Sequence, residues 1–358
     1  MPLTRALAIH IPHDYYAIEY LDKIVNILDR IKKCLKTCSV EPWTFRLIFP
    51  SITNSNYKGV EKYLDELFSV IDRDILVSMS IEEMTFDINQ LINIMHNHKK
   101  FYTAIRCSND ECIDKVVTAI YDNSSKNIDI NVYTRIALVF GSWIETPYFP
   151  ATCNVSNTLG LSVALRYVDL VDRALIGGSP YELYNFIQYI QDKMECISKY
   201  SSIPFLGIDL SLSPWREESI ASLLEKLIGN KIGSPGTINA IYSLNKLIDG
   251  IIKKLRIRSI GFNEVMLPVA EDDILNKRVE EGFIRLRDLI NYSIVCVAGL
   301  DMVAIPKLLV DIRRTAIDML TVHKIKKRSV AMRIIPVDQE PGTSIKLENF
   351  GTTYVIFP

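Results

Sequence analysis

A chain of 358 residues with 48% hydrophobic and 23% charged side chains can build one large domain or two ordinary ones, and its composition excludes wholesale disorder. Its 41 Lys and Arg against 42 Asp and Glu leave a net charge of -1, so no overall field gathers nucleic acid or a membrane surface. No window holds the ~18 uninterrupted apolar residues of a spanning helix, and the apolar run in MPLTRALAIHIPHDYY is too short for a secretory signal, so a cytoplasmic protein is expected.

Over the first 140 residues short apolar runs alternate with amphipathic stretches. LTRALAIHI (3–11), TFRLIFP (44–50), DILVSMSI (74–81), FYTAIRC (101–107) and RIALVFG (135–141) read as strands. Between them YLDKIVNILDRIKKCL, GVEKYLDELFSVI and ECIDKVVTAIYD place apolar residues at i, i+3, i+4 and i+7, the pattern of a helix with one buried face. Residues 155–200 read as a mostly helical block, divided at the turn Gly177-Gly178-Ser179-Pro180. Strands resume with IPFLGIDLS (203–211), EVMLPV (264–269), a segment around 294–305 and SVAMRIIPV (329–337), and TTYVIF adds an edge strand in the tail. This alternation predicts a largely parallel sheet. About ten strand candidates without a low-complexity linker give one α/β barrel domain over 1–358, with a looser half at 1–200, a motif-bearing half at 201–337 and an edge segment at 338–358.

In α/β folds ligands gather at strand ends, and acids stand there in this chain. Asp209 closes FLGID, Glu271, Asp272 and Asp273 follow VMLPVA, and Asp301 lies in the apolar run NYSIVCVAGLDMVAIP. Carboxylates sharing one mouth split into an acid and a base or hold a divalent cation, so Asp209, Glu271, Asp272 and Asp301 are the catalytic candidates. The competing reading is helix capping, which the position of Glu271, Asp272 and Asp273 before ILNKRVEEGF suits equally well. The turn GSPGT opens the helix TINAIYSLNKLIDGIIKKL and offers free N–H groups to an anion, which makes Gly233, Ser234, Gly236 and Thr237 ligand-binding candidates beside Ser211. It lacks the Walker lysine and the spacing of a dinucleotide site.

His10 and His13 have an HxxH spacing, and with Asp209 and Glu271 they are the candidate metal ligands. Cys34, Cys38, Cys107, Cys112, Cys153, Cys196 and Cys296 form an odd, scattered set without CxxC spacing, which predicts reduced thiols rather than disulfides or structural zinc. Cys296 and Cys153 are the nucleophile candidates, and PYFPAT (147–152) is a loop suited to lining a pocket. Neither GxSxG nor a usable Ser-His-Asp arrangement is visible.

Taken in order, GIDLSLSP (207–214), GSPGT (233–237), MLPVAEDD (266–273), YSIVCVAGLDMVAIP (292–306) and VAMRIIPV (330–337) resemble domain-of-unknown-function family 711, also called uncharacterised protein family 0210. The resemblance implies a barrel of about ten strands built from two halves, similar to pyruvate formate-lyase and ribonucleotide reductase. The chain departs from that family at Lys307, where a glycine follows the proline in the usual pattern. It also offers only NFGTT around Gly351, without the Arg-Val surround of a glycyl radical site, which argues against that chemistry.

Two functional readings follow. One is a non-radical acid-base or metal-assisted enzyme that binds a small anionic metabolite at an acidic barrel mouth; under it, Asp209→Asn and Asp301→Asn lose ligand binding while the fold melts normally. The other is a non-catalytic sensor or scaffold acting through a protein partner. The basic runs KIKKR (324–328) and KKLRIR (253–258) read as solvated helix ends, and a homo-oligomer is expected from the apolar outer helices.

Overall fold

The structure, a computed structural model, describes residues 4–53, 59–82, 87–124, 129–295 and 298–358. The first half runs β1 (Thr4–His10), α1 (Leu21–Cys38), β2 (Thr44–Ile48), α2 (Val60–Val70), β3 (Leu76–Ser78), α3 (Ile88–Asn97), β4 (Phe101–Arg106), α4 (Asp110–Ser124) and β5 (Ile136–Phe140). After β6 (Gly160–Leu165) come α5 (Val168–Ile176), α6 (Tyr181–Ser201), β7 (Phe205–Asp209), α7 (Ile220–Ile228), α8 (Thr237–Leu255), α9 (Asp273–Glu280) and α10 (Leu286–Val295). The chain finishes with β8 (Gly299–Pro306), α11 (Ile312–Lys326), β9 (Val330–Val337), β10 (Ser344–Leu347) and β11 (Gly351–Tyr354).

Periodicity explains the helices directly. In α1 the residues at helical spacing, Leu21, Ile24, Ile27, Leu28, Ile31, Cys34, Leu35 and Cys38, are the buried ones. Each such Leu or Ile contributes about 1.5–3 kcal/mol on leaving water. The helix stops at Ser39, whose left-handed backbone lets its N–H reach back to Lys36 O.

Nine strands form one sheet in the order β7-β6-β1-β2-β3-β4-β5-β9-β8, and β10 pairs separately with β11. Strands β1 to β5 run parallel to one another, β6 lies antiparallel on β1, and β9 lies antiparallel on β5. Strand β7 parallels β6, and β8 parallels β9, so a central block of five parallel strands is flanked at each edge by a pair running the other way. Beyond it, single parallel bridges join Ile208 to Ser259, Leu212 to Val265, and Pro268 to Asp301, linking both outer strands to the segment 259–268.

The mostly parallel α/β reading holds, with three local corrections. EVMLPV makes isolated bridges, Val265 to Leu212 and Pro268 to Asp301, rather than a ladder to one strand, and Pro268 has no N–H to extend its own. The block at 155–200 opens with a strand, β6, which is central and paired on both sides; small residues at Gly160, Ser162 and Ala164 hid it in a helical reading. The cysteines are not all reduced: Cys38 joins Cys196 and ties α1 to α6, while Cys107 joins Cys112 at the β4–α4 junction. Sulfurs far apart in sequence meet only once α1 and α6 pack, so spacing could not show the first pair.

The link from β5 to β6 is the part of the fold that shapes the site. It runs through buried Thr146, Tyr148, Pro150, Thr152, Cys153 and Asn154 rather than over the surface. A buried loop must satisfy its polar backbone, and neighbours from four strand regions do so. Asn154 Nδ2 donates to Ile11 O at 2.9 Å, Asn154 N donates to Phe49 O at 3.1 Å, Ser80 Oγ donates to Thr152 O, and Tyr148 Oη donates to Ser211 O at 3.2 Å. Thr146 Oγ1 completes the anchoring by donating to Asp209 Oδ2 at 2.6 Å.

Candidate functional site

A cavity of about 290 Å³ opens between this loop and the strands. Arg5 of β1, Arg46 of β2, Tyr102 of β4, Asp301 of β8 and Arg333 of β9 line it, together with Glu271. Trp43, Trp215, Phe149 and Phe350 supply aromatic wall. The prolines and aromatics of PYFPAT do line a pocket, through Tyr148, Phe149, Pro150 and Ala151.

The charged groups form a chain. Arg5 Nη2 donates to Glu271 Oε2 at 2.6 Å, and Arg333 Nη2 donates to Glu271 Oε1 at 3.0 Å. Arg333 Nε then donates to Asp301 Oδ1 at 2.5 Å. Burial works against the Arg333 charge, but Asp301 and Glu271 outweigh it and hold this guanidinium above the usual arginine value. Burial pushes the Asp301 carboxyl above the usual aspartate range, with Glu271 adding to the shift and Arg333 opposing it. Asp301 Oδ2 has no hydrogen-bond partner among the described residues.

Local backbone aims Asp301 inward. The β8–β9 register slips between Leu300 and Val303, and Met302 takes a φ of 51°, an unusual conformation for a methionine. Gly299 has a φ of 120°, and a Cβ there would lie 1.9 Å from Ala331 O, so only glycine allows β8 to approach β9 so closely.

Arg46 differs from the other two arginines. It is 9% exposed and donates only to Thr44 Oγ1, at 3.1 Å from Nε, and to Pro147 O, at 2.7 Å from Nη1. No carboxylate among the described residues pairs with it. Its guanidinium rests 5.0 Å from the centroid of the Phe149 ring. Burial, with Arg5 adding, pushes its pKa down to about 10, which still leaves it charged at neutral pH. Sequence reading passed over all three arginines, because a lone Arg within an apolar strand looks the same whether it faces a pocket or a carbonyl.

The sequence candidates separate into two groups. Glu271 and Asp301 reach the cavity. Asp209 does not line it: fully buried, it accepts from Thr146 Oγ1, Ser211 N, Ser211 Oγ, Phe262 N and Asn263 N. Asp272 caps α9, accepting from Ile274 N and Leu275 N, and also holds Ser219 Oγ and Ala221 N at the start of α7. Burial pushes both carboxyls up, while these hydrogen bonds pull the other way. Ser211 spends its hydroxyl on Asp209 and Glu264 N. The mouth expected to be acidic is therefore arginine-rich, with three guanidiniums facing two carboxylates.

In GSPGT the donors are used internally. Gly233 N donates to Thr237 Oγ1 at 3.1 Å, and that hydroxyl donates to Ser234 O at 2.8 Å, while Gly236 precedes α8 with a φ of 103°. None of its residues lines the cavity. Among the described residues no group of three or more His, Cys, Asp or Glu is placed to hold a metal ion, so His10, His13, Asp209 and Glu271 do not converge. His13 stacks near Tyr16, with centroids 6.2 Å apart. Cys296 lies outside the described residues, and burial pushes the Cys153 thiol up to about 12, far from a ready nucleophile.

His10 has another partner that sequence spacing concealed. Its Nε2 is 2.8 Å from Ser162 Oγ and its Nδ1 is 3.5 Å from Glu145 Oε1, the order of a serine, base and acid. His10 and Ser162 are fully buried, and none of the three lines the cavity. The arrangement joins β1, β6 and the buried loop.

Comparison with known proteins agrees with the motifs. The UPF0210 protein of Lacticaseibacillus casei strain BL23 is 32% identical over 162 residues, covering 43% of this chain and 35% of the relative. The UPF0210 protein of Sulfurisphaera tokodaii is 32% identical over 165 residues, covering 42% and 35%. That of Lacticaseibacillus paracasei is 34% identical over 163 residues, covering 44% and 35%, so the match spans about a third of the length of these relatives. Among described residues no helix is long and apolar enough to cross a membrane. The model of the family described as Uncharacterised ACR (DUF711) matches residues 35–348, which takes in β2 to β10 and every residue lining the cavity except Arg5, Asn349 and Phe350: the chain belongs to this family.

Proposed function

We propose that the sheet is closed through the segment 259–268 into a ten-strand barrel similar in plan to that of pyruvate formate-lyase, and that the arginine-lined cavity binds a small organic anion. The bridges from β7 and β8 to that segment support closure. The observation that carries the anion site is Arg46: a buried cation without a carboxylate partner is costly, and a bound anion supplies what the fold leaves out. Arg5 and Arg333 are neutralised by Glu271 and Asp301, so the surplus positive charge belongs to Arg46.

The test is calorimetric binding and thermal stabilisation with a panel of organic acids and inorganic phosphate, on the parent and on Arg46→Met. An acid at a hundred times its Kd stabilises the parent by about 2.7 kcal/mol. Arg46→Met keeps the stem's packing and loses that response; equal binding by parent and variant would refute the assignment.

Turnover is a second reading, favoured by the raised carboxyl of Asp301, a cavity-lining residue whose second oxygen has no hydrogen-bond partner among the described residues. Here Asp301 exchanges a proton with the bound anion and Glu271 holds the arginines in place. Mass spectrometry of small molecules released from the purified protein, then incubation of the protein with them, separates conversion from simple binding. An Asp301→Asn variant that converts as fast as the parent removes Asp301 from the chemistry.

A further inference from the structure

We propose that the ligand of this cavity is a monocarboxylate carried on a single flat apolar ring. The inference rests on the anion-binding reading of Arg46 and adds the ligand's class. Charge sets the valence: Arg5, Arg46 and Arg333 face Glu271 and Asp301, an excess of one positive charge, which one carboxylate cancels. The other cation on the wall, Lys100, is partly exposed, and its strongly hydrated ammonium on a flexible stem keeps its water rather than joining the buried set.

Donor geometry then selects carboxylate over phosphate. With Nε and one Nη1 hydrogen committed, Arg46 keeps a planar edge of N–H groups, which suits the two oxygens of a carboxylate lying in the same plane. A phosphate dianion usually also collects backbone N–H groups at a helix start, and no residue lining the cavity begins an α-helix.

Size and wall chemistry define the rest. The 290 Å³ cavity stands at the lower end of small-molecule sites, which suits a one-ring acid. Its walls are aromatic: Trp43 meets Trp215 edge-on with centroids 4.6 Å apart, Phe350 meets Trp215 at 6.1 Å, and Phe149 lies against Arg46 itself. Flat faces at these angles receive a ring, whereas a short aliphatic or dicarboxylic acid leaves them wet or buries a second charge against them.

The experiment is calorimetric titration of the full chain with phenylacetate, benzoate, acetate, succinate and inorganic phosphate, on the parent, Arg46→Met, Arg46→Lys and Trp215→Leu. Phenylacetate or benzoate is expected to bind at least tenfold tighter than the other three. Arg46→Lys keeps the charge but loses the planar edge, and is expected to weaken the ring acids tenfold or more. Trp215→Leu is expected to weaken the ring acids by a larger factor than it weakens acetate. If succinate or phosphate binds tightest and Arg46→Met abolishes it, the ring-acid class is overturned while the anion site stands. If no acid in the panel binds, or Arg46→Met binds them as the parent does, the anion site fails and the ligand class with it.

Discussion

Asp209→Asn tests whether this acid belongs to the chemistry or to the frame. The carboxylate accepts three bonds on Oδ1, from Ser211 N at 3.0 Å, Ser211 Oγ at 2.6 Å and Asn263 N at 3.1 Å. It accepts two on Oδ2, from Thr146 Oγ1 at 2.6 Å and Phe262 N at 3.0 Å. An asparagine keeps one oxygen, which serves the three donors on its side. Its NH2 then faces the Phe262 N–H, a donor with no acceptor left, while the Thr146 hydroxyl rotates to accept. One buried N–H left unmade costs about 1–3 kcal/mol, and each bond to a charge that becomes a neutral bond loses about 1 kcal/mol. Relief from burying the charge offsets part of this, since burial already pushes the Asp209 carboxyl up. The net loss comes to about 2–4 kcal/mol, or, for a chain of 358 residues, a midpoint lower by roughly 3–5 °C. Urea denaturation followed by circular dichroism reads it directly. An Asn variant as stable as the parent would show that the five bonds do not hold the buried loop and the turn after Ile260. The sequence-level expectation that this substitution leaves the fold melting normally is the opposite outcome.

Gly299→Ala should cost about 3 kcal/mol or more, because its Cβ would stand 1.9 Å from Ala331 O at a φ of 120°; urea unfolding within about 1 kcal/mol of the parent would contradict the close β8–β9 approach. For Glu225, burial raises the carboxyl, but Arg278, held through Nε at 2.7 Å and Nη2 at 2.9 Å, and Ile232 N–H together bring it below its ordinary value of 4.5. A depressed folded value means that its contribution is fully present above pH ~4.5 and is lost as pH falls through the folded pKa. Glu225→Gln should therefore lower stability at neutral pH and flatten the acid limb, and an unchanged slope between pH 5 and pH 2 in acid titration followed by fluorescence would count against the pair. The Cys38–Cys196 link closes a separation of 158 residues, so Cys38→Ser should cost about 3–5 kcal/mol in unfolding free energy. In unfolded parent protein four of the seven cysteines should resist a thiol reagent until reductant is added; immediate reaction of all seven would remove both links.

The sequence alone determined the elements whose signal is local. Apolar residues at helical spacing place α1, α2, α4 and α8, and uniformly apolar runs place β1, β2, β4, β5, β7 and β9, because buried parallel strands have no polar face to disguise them. The ordered motifs also carried the family. Strand β6 escaped because small residues suit a helix as readily as a crowded sheet. What the tertiary structure decided is which polar groups meet. Asp209 and Asp301 each follow apolar residues and Asp272 stands two places after one, yet Asp209 and Asp272 are enclosed by backbone N–H groups while Asp301 is turned into the cavity by a bulge at Met302. Arg5, Arg46 and Arg333 stand up to 328 positions apart and converge only when oppositely directed sheet blocks bring β1, β2 and β9 around one space. A local pattern encodes whether a residue is buried; its partner is fixed by strand register across the whole chain, so the carboxylate that Arg46 lacks could be seen only in the assembled fold.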